Sequence, residues 1–468
     1  MKHVKLYIII MLVFFACRIA KNDKAPEAPL PQAFRNTPAN ADTTSIAAIP
    51  WKNFFTDTTL QQLIDSAIAK NYDMQLAVKN IEASQLLLRQ TKLLNLPTAN
   101  LQITAGTTRY SDNSLNGLTA NQYLGASHIE DYSANVGISW EADIWGKIRG
   151  RKSIALAQYL QTEEAKAAIQ TNLIANVSED FYNLLMLDDQ LKIAKKNLAL
   201  NDSTLIVIRL EYKSGQVTAL AGQQADAQRL TAAQLIPQFE QDILLQENAL
   251  SILAGELPAS ITRNTILDHK NITDSLSAGI PSEMVGRRPD VKSFELSLAI
   301  ANANVGISKA NMYPSLIITA QGGINSFKAS NWFNIPASLF GAVAGSLTQP
   351  LFDHNELKTK YEIAKVEREK AVIQFRQSVL NAVGEVSDAL AKIEKLKAQR
   401  NIATEKVNTL QQAINNAGLL FQSGMANYLE VITAQSNALQ SELDLSVIKR
   451  QELDAAIELY RSLGGGRG

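Results

Sequence analysis

Side chains that could do chemistry are few in this sequence, and they are dispersed. The four histidines, His3, His128, His269 and His354, are far apart, and no paired-histidine or paired-cysteine spacing offers a metal ligand set. Gly464 to Gly466 is glycine-rich, but no strand or helix start around it supplies a phosphate-binding context. The pattern therefore predicts no cofactor, no resident metal and no catalytic group. The single cysteine, Cys17, stands after Ala16, behind a positive start (Lys2, His3, Lys5) and a continuous apolar run from Leu6 to Phe15. These are the parts of a secretory signal, 1–16, whose removal would leave Cys17 as a first residue able to carry lipid. A plain signal peptide with an incidental cysteine is the other reading. The apolar run is too short to cross a bilayer, which takes about 20 residues. A third cluster, Gly286-Arg287-Arg288-Pro289-Asp290, concentrates charge in a turn. Proline starts a helix well and an aspartate in its first turn suits the positive end of the dipole, so these residues read as structural.

Composition narrows the classes further. Among 468 residues, 45 Lys plus Arg balance 45 Asp plus Glu, so there is no basic footprint and no nucleic-acid partner is expected. One cysteine excludes an internal disulfide. Residues 17–50 are rich in Pro, Ala, Asn, Asp and Thr without periodicity, and read as a lipid anchor followed by an extended tether.

The elements beyond the tether occur twice. A shift of 217 positions lays Asp73 on Asp290, Lys92 on Lys309, Pro97 on Pro314 and Gly106 on Gly323. Ser139 to Trp145 matches Ser346 to Phe352 at a shift of 207, and Tyr212 to Gly215 matches Phe421 to Gly424 at 209. Three echoes in one order indicate a duplication, with repeats over 51–279 and 280–463 and a flexible tail at 464–468. Each repeat begins with helices, then changes to period two. Leu101, Ile103 and Ala105, and later Val136, Ile138 and Trp140, alternate with polar residues. The predicted strands lie at about 99–110, 133–143, 314–324 and 338–348, with polar loops at Ser111–Asp131 and Ser326–Pro336. Long helices follow at about 147–213 and 354–422, and return helices at about 218–255 and 427–463. Val177, Leu184, Leu191, Leu198, Leu205 and Tyr212 recur every seven residues as a coiled-coil seam. Such a helix would be on the order of 100 Å long.

Four strands in two hairpins cannot close a barrel, which takes about eight or more in a membrane. If the alternating faces meet lipid and lumen, several chains must share one barrel. A soluble sheet packed on helices, in a secreted coiled-coil scaffold, is the competing architecture; an enzyme or solute-binding protein would need a pocket constellation that the sequence does not display.

From Trp51 to Leu463 the chain resembles the TolC-like outer-membrane efflux proteins, in particular the lipidated NodT/OprM-type branch. The residues that carry this are Pro281 to Val291, containing Arg287-Arg288-Pro289-Asp290, the opening Trp51, Phe55, Asp57, Leu60, Leu63 and Asn71, the paired tips, and Cys17. The resemblance implies a mainly α fold with a membrane β-barrel part: a homotrimer sharing twelve strands in outer-membrane lipid, above a tapering periplasmic tunnel of helices. It implies a periplasmic membrane-fusion adaptor and an inner-membrane RND pump as partners, and the role of exit duct for small molecules such as drugs, or for another export system. It places lipid on Cys17 and makes Tyr212, Ser214, Gly215, Phe421, Ser423 and Gly424 candidates for adaptor docking. Family members narrow the tunnel with acidic residues just past the tips. Glu430 matches such a position, whereas the equivalent first-repeat residue is Ala221.

Overall fold

The computed structural model describes residues 30–35, 45–263, 265–267 and 276–467. Cys17, the 1–16 signal, His3 and His269 lie outside them. The chain divides into two compact units. One comprises 82–160 and 295–373; the other comprises the described parts of 27–81, 161–294 and 374–468.

In chain order, α1 (Trp51–Phe54), α2 (Thr58–Lys70) and α3 (Tyr72–Lys92) precede β1 (Thr98–Thr108). The short α4 (Leu115–Thr119), β2 (Ile129–Glu141), α5 (Lys147–Lys213) and α6 (Ala219–Leu253) complete the first repeat. The second runs α7 (Pro281–Arg287), α8 (Pro289–Ala310), β3 (Ser315–Ser326), β4 (Leu339–Thr348), α9 (Glu356–Gln422) and α10 (Tyr428–Ser462). The two long helices have the same length, 67 residues, as do the return helices, with 35. Helix α6 passes through Pro237 without ending. Asn71, not the following Asp73, caps α3: its Oδ1 accepts from the N–H groups of Asp73 and Met74 at 2.9 and 3.3 Å.

In the first unit the strands form one antiparallel sheet in the order β1-β2-β3-β4. Strand β2 begins at Ile129, inside the segment expected to be loop, because it pairs with β1 up to Thr108. The rest of that loop folds into α4 and one π-helical turn, Ala120–Leu124. Ser114 starts α4 by accepting from Gly117 N, a local cap that composition alone presents as irregular chain.

The second unit holds the main apolar core. Phe54 stacks on Tyr460 at 4.3 Å, and Phe55 meets both rings edge-on. Around them Leu60, Ile64, Ile174, Phe181, Leu184, Ile457 and Leu459 are almost wholly buried. The heptad positions Val177 and Leu184 thus serve a core as well as a seam.

Arg288 is the polar hub of this unit. It stands between α7 and α8 with 5% of its surface exposed. Its Nε and Nη2 donate to both oxygens of Asp290 at 3.0 and 2.6 Å, and its Nη1 donates to Glu385 on α9 at 2.8 Å and to the Ser462 carbonyl on α10 at 2.9 Å. Burial pushes the Asp290 carboxyl up, but the Arg288 bonds and charge outweigh it and hold it below the usual range.

The glycine-rich end of the chain departs from its composition. Expected to be a flexible tail, Gly464 to Gly466 is buried. Gly465 N donates to the Tyr460 carbonyl at 2.9 Å, and Gly466 N donates to Tyr460 Oη at 3.0 Å, which itself donates to the Ile49 carbonyl at 2.8 Å. Arg467 closes the segment by donating to Glu164 and to the Arg287 carbonyl. The bonds to the Arg461 and Tyr460 carbonyls are those of a glycine helix stop, local in origin; those of Arg467 to Glu164 and Arg287 come from distant parts of the chain and order the rest.

Because Arg288 is a buried cation with three anionic or carbonyl partners, Arg288→Ala will lower the stability of this unit by about 3–5 kcal/mol. The expected readout is an earlier thermal transition and faster proteolysis of the second unit. Arg288→Lys will recover only part, since an ammonium cannot make the two-pronged contact to Asp290. A melting profile equal to that of the parent would show that the hub carries no stability.

Candidate functional site: the pore wall and the helix tips

The sheet sorts its side chains by face. Register places Leu101 opposite Val136, Val136 opposite Gly322 and Gly322 opposite Gly341. Since successive side chains alternate, one face therefore carries Leu101 and Ile103, Val136, Ile138 and Trp140, Leu316, Ile318 and Ile324, and Leu339, Val343 and Leu347. All of these but Leu316 and Ile324 are exposed among the described residues, and Leu101, Val343 and Leu347 are among the most exposed large hydrophobics. The opposite face carries Asn100, Gln102 and Thr104, Ser133, Asn135 and Ser139, Thr319, Gln321 and Asn325, and Ser346 and Thr348. An apolar face this large is not left to water in a folded monomer.

Strands of 11, 13, 12 and 10 residues have the length that a tilted membrane strand requires, about 9–11. No helix among the described residues is long and apolar enough to cross a membrane. All four helical connections join one end of the sheet, next to Thr98, Glu141, Ser315 and Thr348, and both hairpin loops lie at the other. Aromatic residues mark each end. Near the helices Trp140 donates to the Asn95 carbonyl, and Trp145 stacks on Tyr313 at 4.7 Å; near the loops Tyr132 meets Trp332 and Trp332 meets Phe333. Amphipathic rings at both rims of an apolar band are the pattern of a bilayer interface.

In the second unit the long helices turn back at two tips of the same construction. Gly215 N donates to the Tyr212 carbonyl at 3.0 Å and Gly424 N to the Phe421 carbonyl at 3.0 Å. Both glycines have positive φ, +72° and +74°, where a side chain is strained. Ser214 and Ser423 each donate back to a carbonyl three residues earlier. The tip candidates are thus together in space, and Tyr212 is exposed. A small separate core, Leu205, Ile208, Ala221, Ala225 and Ile432, with Phe421 and Tyr428 against it, joins the two tips. Tyr428 Oη donates to Gln224 Oε1 and Gln435 Nε2 donates to Thr204 Oγ1, both at 2.7 Å.

Glu430 is exposed in the first turn of α10, behind the Asn427 cap. Its counterpart Ala221 is fully buried in the small core. The two repeats therefore pack asymmetrically here. An acid at position 221 would be desolvated among apolar side chains, whereas Glu430 projects from the surface. Sequence reasoning missed the Tyr428–Gln224 and Gln435–Thr204 bridges, which link residues more than 200 positions apart. Their only trace was the repeat itself. Among the described residues no group of acids, histidines or cysteines could hold a metal ion.

The family model described as outer membrane efflux protein matches residues 63–256 and 280–465. The cation efflux system protein CusC of Escherichia coli strain K12 is 27% identical over 463 residues, covering 98% of this chain and 98% of its own. The toluene efflux pump outer membrane protein TtgI of Pseudomonas putida is 28% identical over 475 residues, covering 100% and 99%. A crystal structure of CusC, reported with conformational changes that accompany folding and transmembrane channel formation, superposes with a TM-score of 0.84 at 25% identity, over 96% of this chain and all of that one. With an amphipathic sheet, paired helix tips and both repeats matched, the chain belongs to the outer membrane efflux protein family.

Proposed function

We propose that three copies of this chain pool their sheets into a twelve-stranded outer-membrane barrel that serves as the exit duct of an RND-type efflux system. The observation that carries this is a sheet with one apolar face, one polar face and two open edges. In lipid the edges must be paired. Twelve strands close with the apolar faces outward and leave Asn100, Gln102, Gln321 and their neighbours lining water.

The long helices continue from the periplasmic end of the barrel, and Cys17 anchors the N-terminus by lipid. The paired tips at Tyr212 to Gly215 and Phe421 to Gly424 receive a periplasmic adaptor, which links the duct to an inner-membrane pump. Exposed backbone at the two glycine turns supports this assignment, because a partner helix can approach them closely. The cargo is a small molecule whose identity the pump sets. Two relatives named for cations and for toluene are almost equally similar to this chain, so neither cargo is transferred to it. In a trimer Glu430 recurs as a ring of three carboxylates near the periplasmic mouth. Such a ring favours cations and stabilises a narrow state through partner contacts.

Purified detergent-extracted protein will show a mass of about three times 51.2 kDa and discrete channel currents in a planar bilayer. Monomers without conductance would remove the duct and favour a coiled-coil scaffold. Glu430→Gln will keep the trimer and raise passive entry of bulky polar antibiotics by about twofold or more, with altered single-channel conductance. Equal permeability and conductance in parent and variant would remove the gate role.

A further inference from the structure

The duplication copies a joint as well as strands. Within one chain, β2 and β3 join the two repeats, and three features occur at that joint. Asn135 pairs with Gly323, and a side chain at 323 would lie 2.1 Å from the Ala134 carbonyl. Trp145, just after β2, stacks on Tyr313, just before β3. The Trp145 indole also donates to the Pro314 carbonyl at 2.8 Å.

The repeat supplies each half of this joint again, at the two free edges. Gly323 corresponds to Gly106 on β1, Tyr313-Pro314 to Leu96-Pro97, and Trp145 to Phe352 after β4. None of these has its counterpart contact among the described residues. A side chain at 106 would meet nothing within 4 Å. Phe352 is 98% exposed and Leu96 60% exposed. Among the described residues nothing crowds position 106, in contrast to Gly323.

We infer that β4 of one copy pairs with β1 of the next in the register of the internal joint, so that Leu347 faces Leu101, Ser346 faces Gln102 and Ala342 faces Gly106 across the seam. Phe352 then seats on Leu96 and Pro97 of that neighbour, as Trp145 seats on Tyr313 and Pro314. This rests on the shared-barrel reading above and goes further, to a residue-level register. Each copy then advances the pairing by about six residues over four strands, a tilt of roughly 46° from the strand rise and spacing, close to the usual 35–45°. A register two residues steeper would need roughly 54°. Both apolar and polar faces stay continuous across the seam, because the shift preserves the alternation.

The test uses paired cysteines on the polar, water-lined face, where thiolates form and disulfides exchange. Ser346→Cys with Gln102→Cys in the full chain, oxidised in native outer membranes, will give covalent dimers and trimers at about tenfold the yield of Ser346→Cys with Asn100→Cys or with Thr104→Cys, because only facing residues bring the Cβ atoms within bridging distance. Preferential cross-linking in either offset pair would overturn the register and leave the barrel standing. Monomers in all three pairs would overturn the register, and the barrel with it if the protein without added cysteines also runs as a monomer in detergent. Independently, Gly106→Val, which fits the single chain, will abolish most of the trimer; trimer at the parent level would show that β4 does not approach Gly106.

Discussion

Hydrocarbon cannot hydrogen-bond a peptide group, and this governs the whole molecule. The sheet has two outer edges, on β1 and β4. On each edge roughly ten N–H and C=O groups point away from the sheet, since alternate residues direct theirs outward. At several kcal/mol for each unsatisfied group in lipid, an isolated sheet in a membrane would be worse than its alternatives by tens of kcal/mol. Surface complementarity is therefore a secondary matter. The strands need other strands, and identical copies supply them. The apolar face gives the same answer from the side chains: Leu101, Val343 and Leu347 stand exposed among the described residues, and a bilayer covers them.

The second unit meets a different constraint. It holds residues 161–213 and 374–422 of the two long helices, whose backbone groups satisfy themselves, so what needs fixing is their mutual placement. Arg288 does this at one level by tying the start of α8 to α9 and to the end of α10. The chain ends do it at the same core: Ile49, Phe54 and Phe55 come from the N-terminal side, and Tyr460 and Gly466 from the C-terminal side. A buried ion cluster is a weak source of net stability but a strong source of specificity when every donor is used. All three guanidinium nitrogens of Arg288, counting Nε, find acceptors. Arg288 and Asp290 of the charged turn are thus occupied in holding helices together, as the structural reading of that turn expects.

Much of this was legible beforehand, because it depends on periodicity. Alternation at Leu101–Ala105 and Val136–Trp140, the heptads from Val177 to Tyr212 and the Ser-Gly stops are local patterns with local causes. The repeat was legible for the same reason, and with it the placement of the two tips. What sequence did not disclose depends on distant partners. Gly464 to Gly466 reads as flexible because glycine lacks side-chain contacts, yet it is fixed where the Tyr460 hydroxyl that holds Gly466 reaches Ile49, and where Arg467 reaches Glu164 and Arg287. Position 221 and position 430 are equivalent in sequence, but one is buried and the other exposed. Only the packing of one hairpin against the other makes that distinction.

That asymmetry has a physical basis in the duplication. Two identical repeats joined in a ring of copies would produce two equivalent kinds of joint, one within the chain and one between chains, and the wall of the barrel tolerates this because lipid is the same all round. At the tips the two hairpins share one small core of Leu205, Ile208, Ala221, Ala225 and Ile432, and a shared core cannot keep a carboxylate on both sides. Duplication therefore preserves the strand edges, where each repeat must present the same register, and releases the tips, where the helix pairs can take different faces. At this one position the carboxylate therefore stands on a single hairpin, as Glu430, because the other hairpin gives the equivalent position, Ala221, to packing.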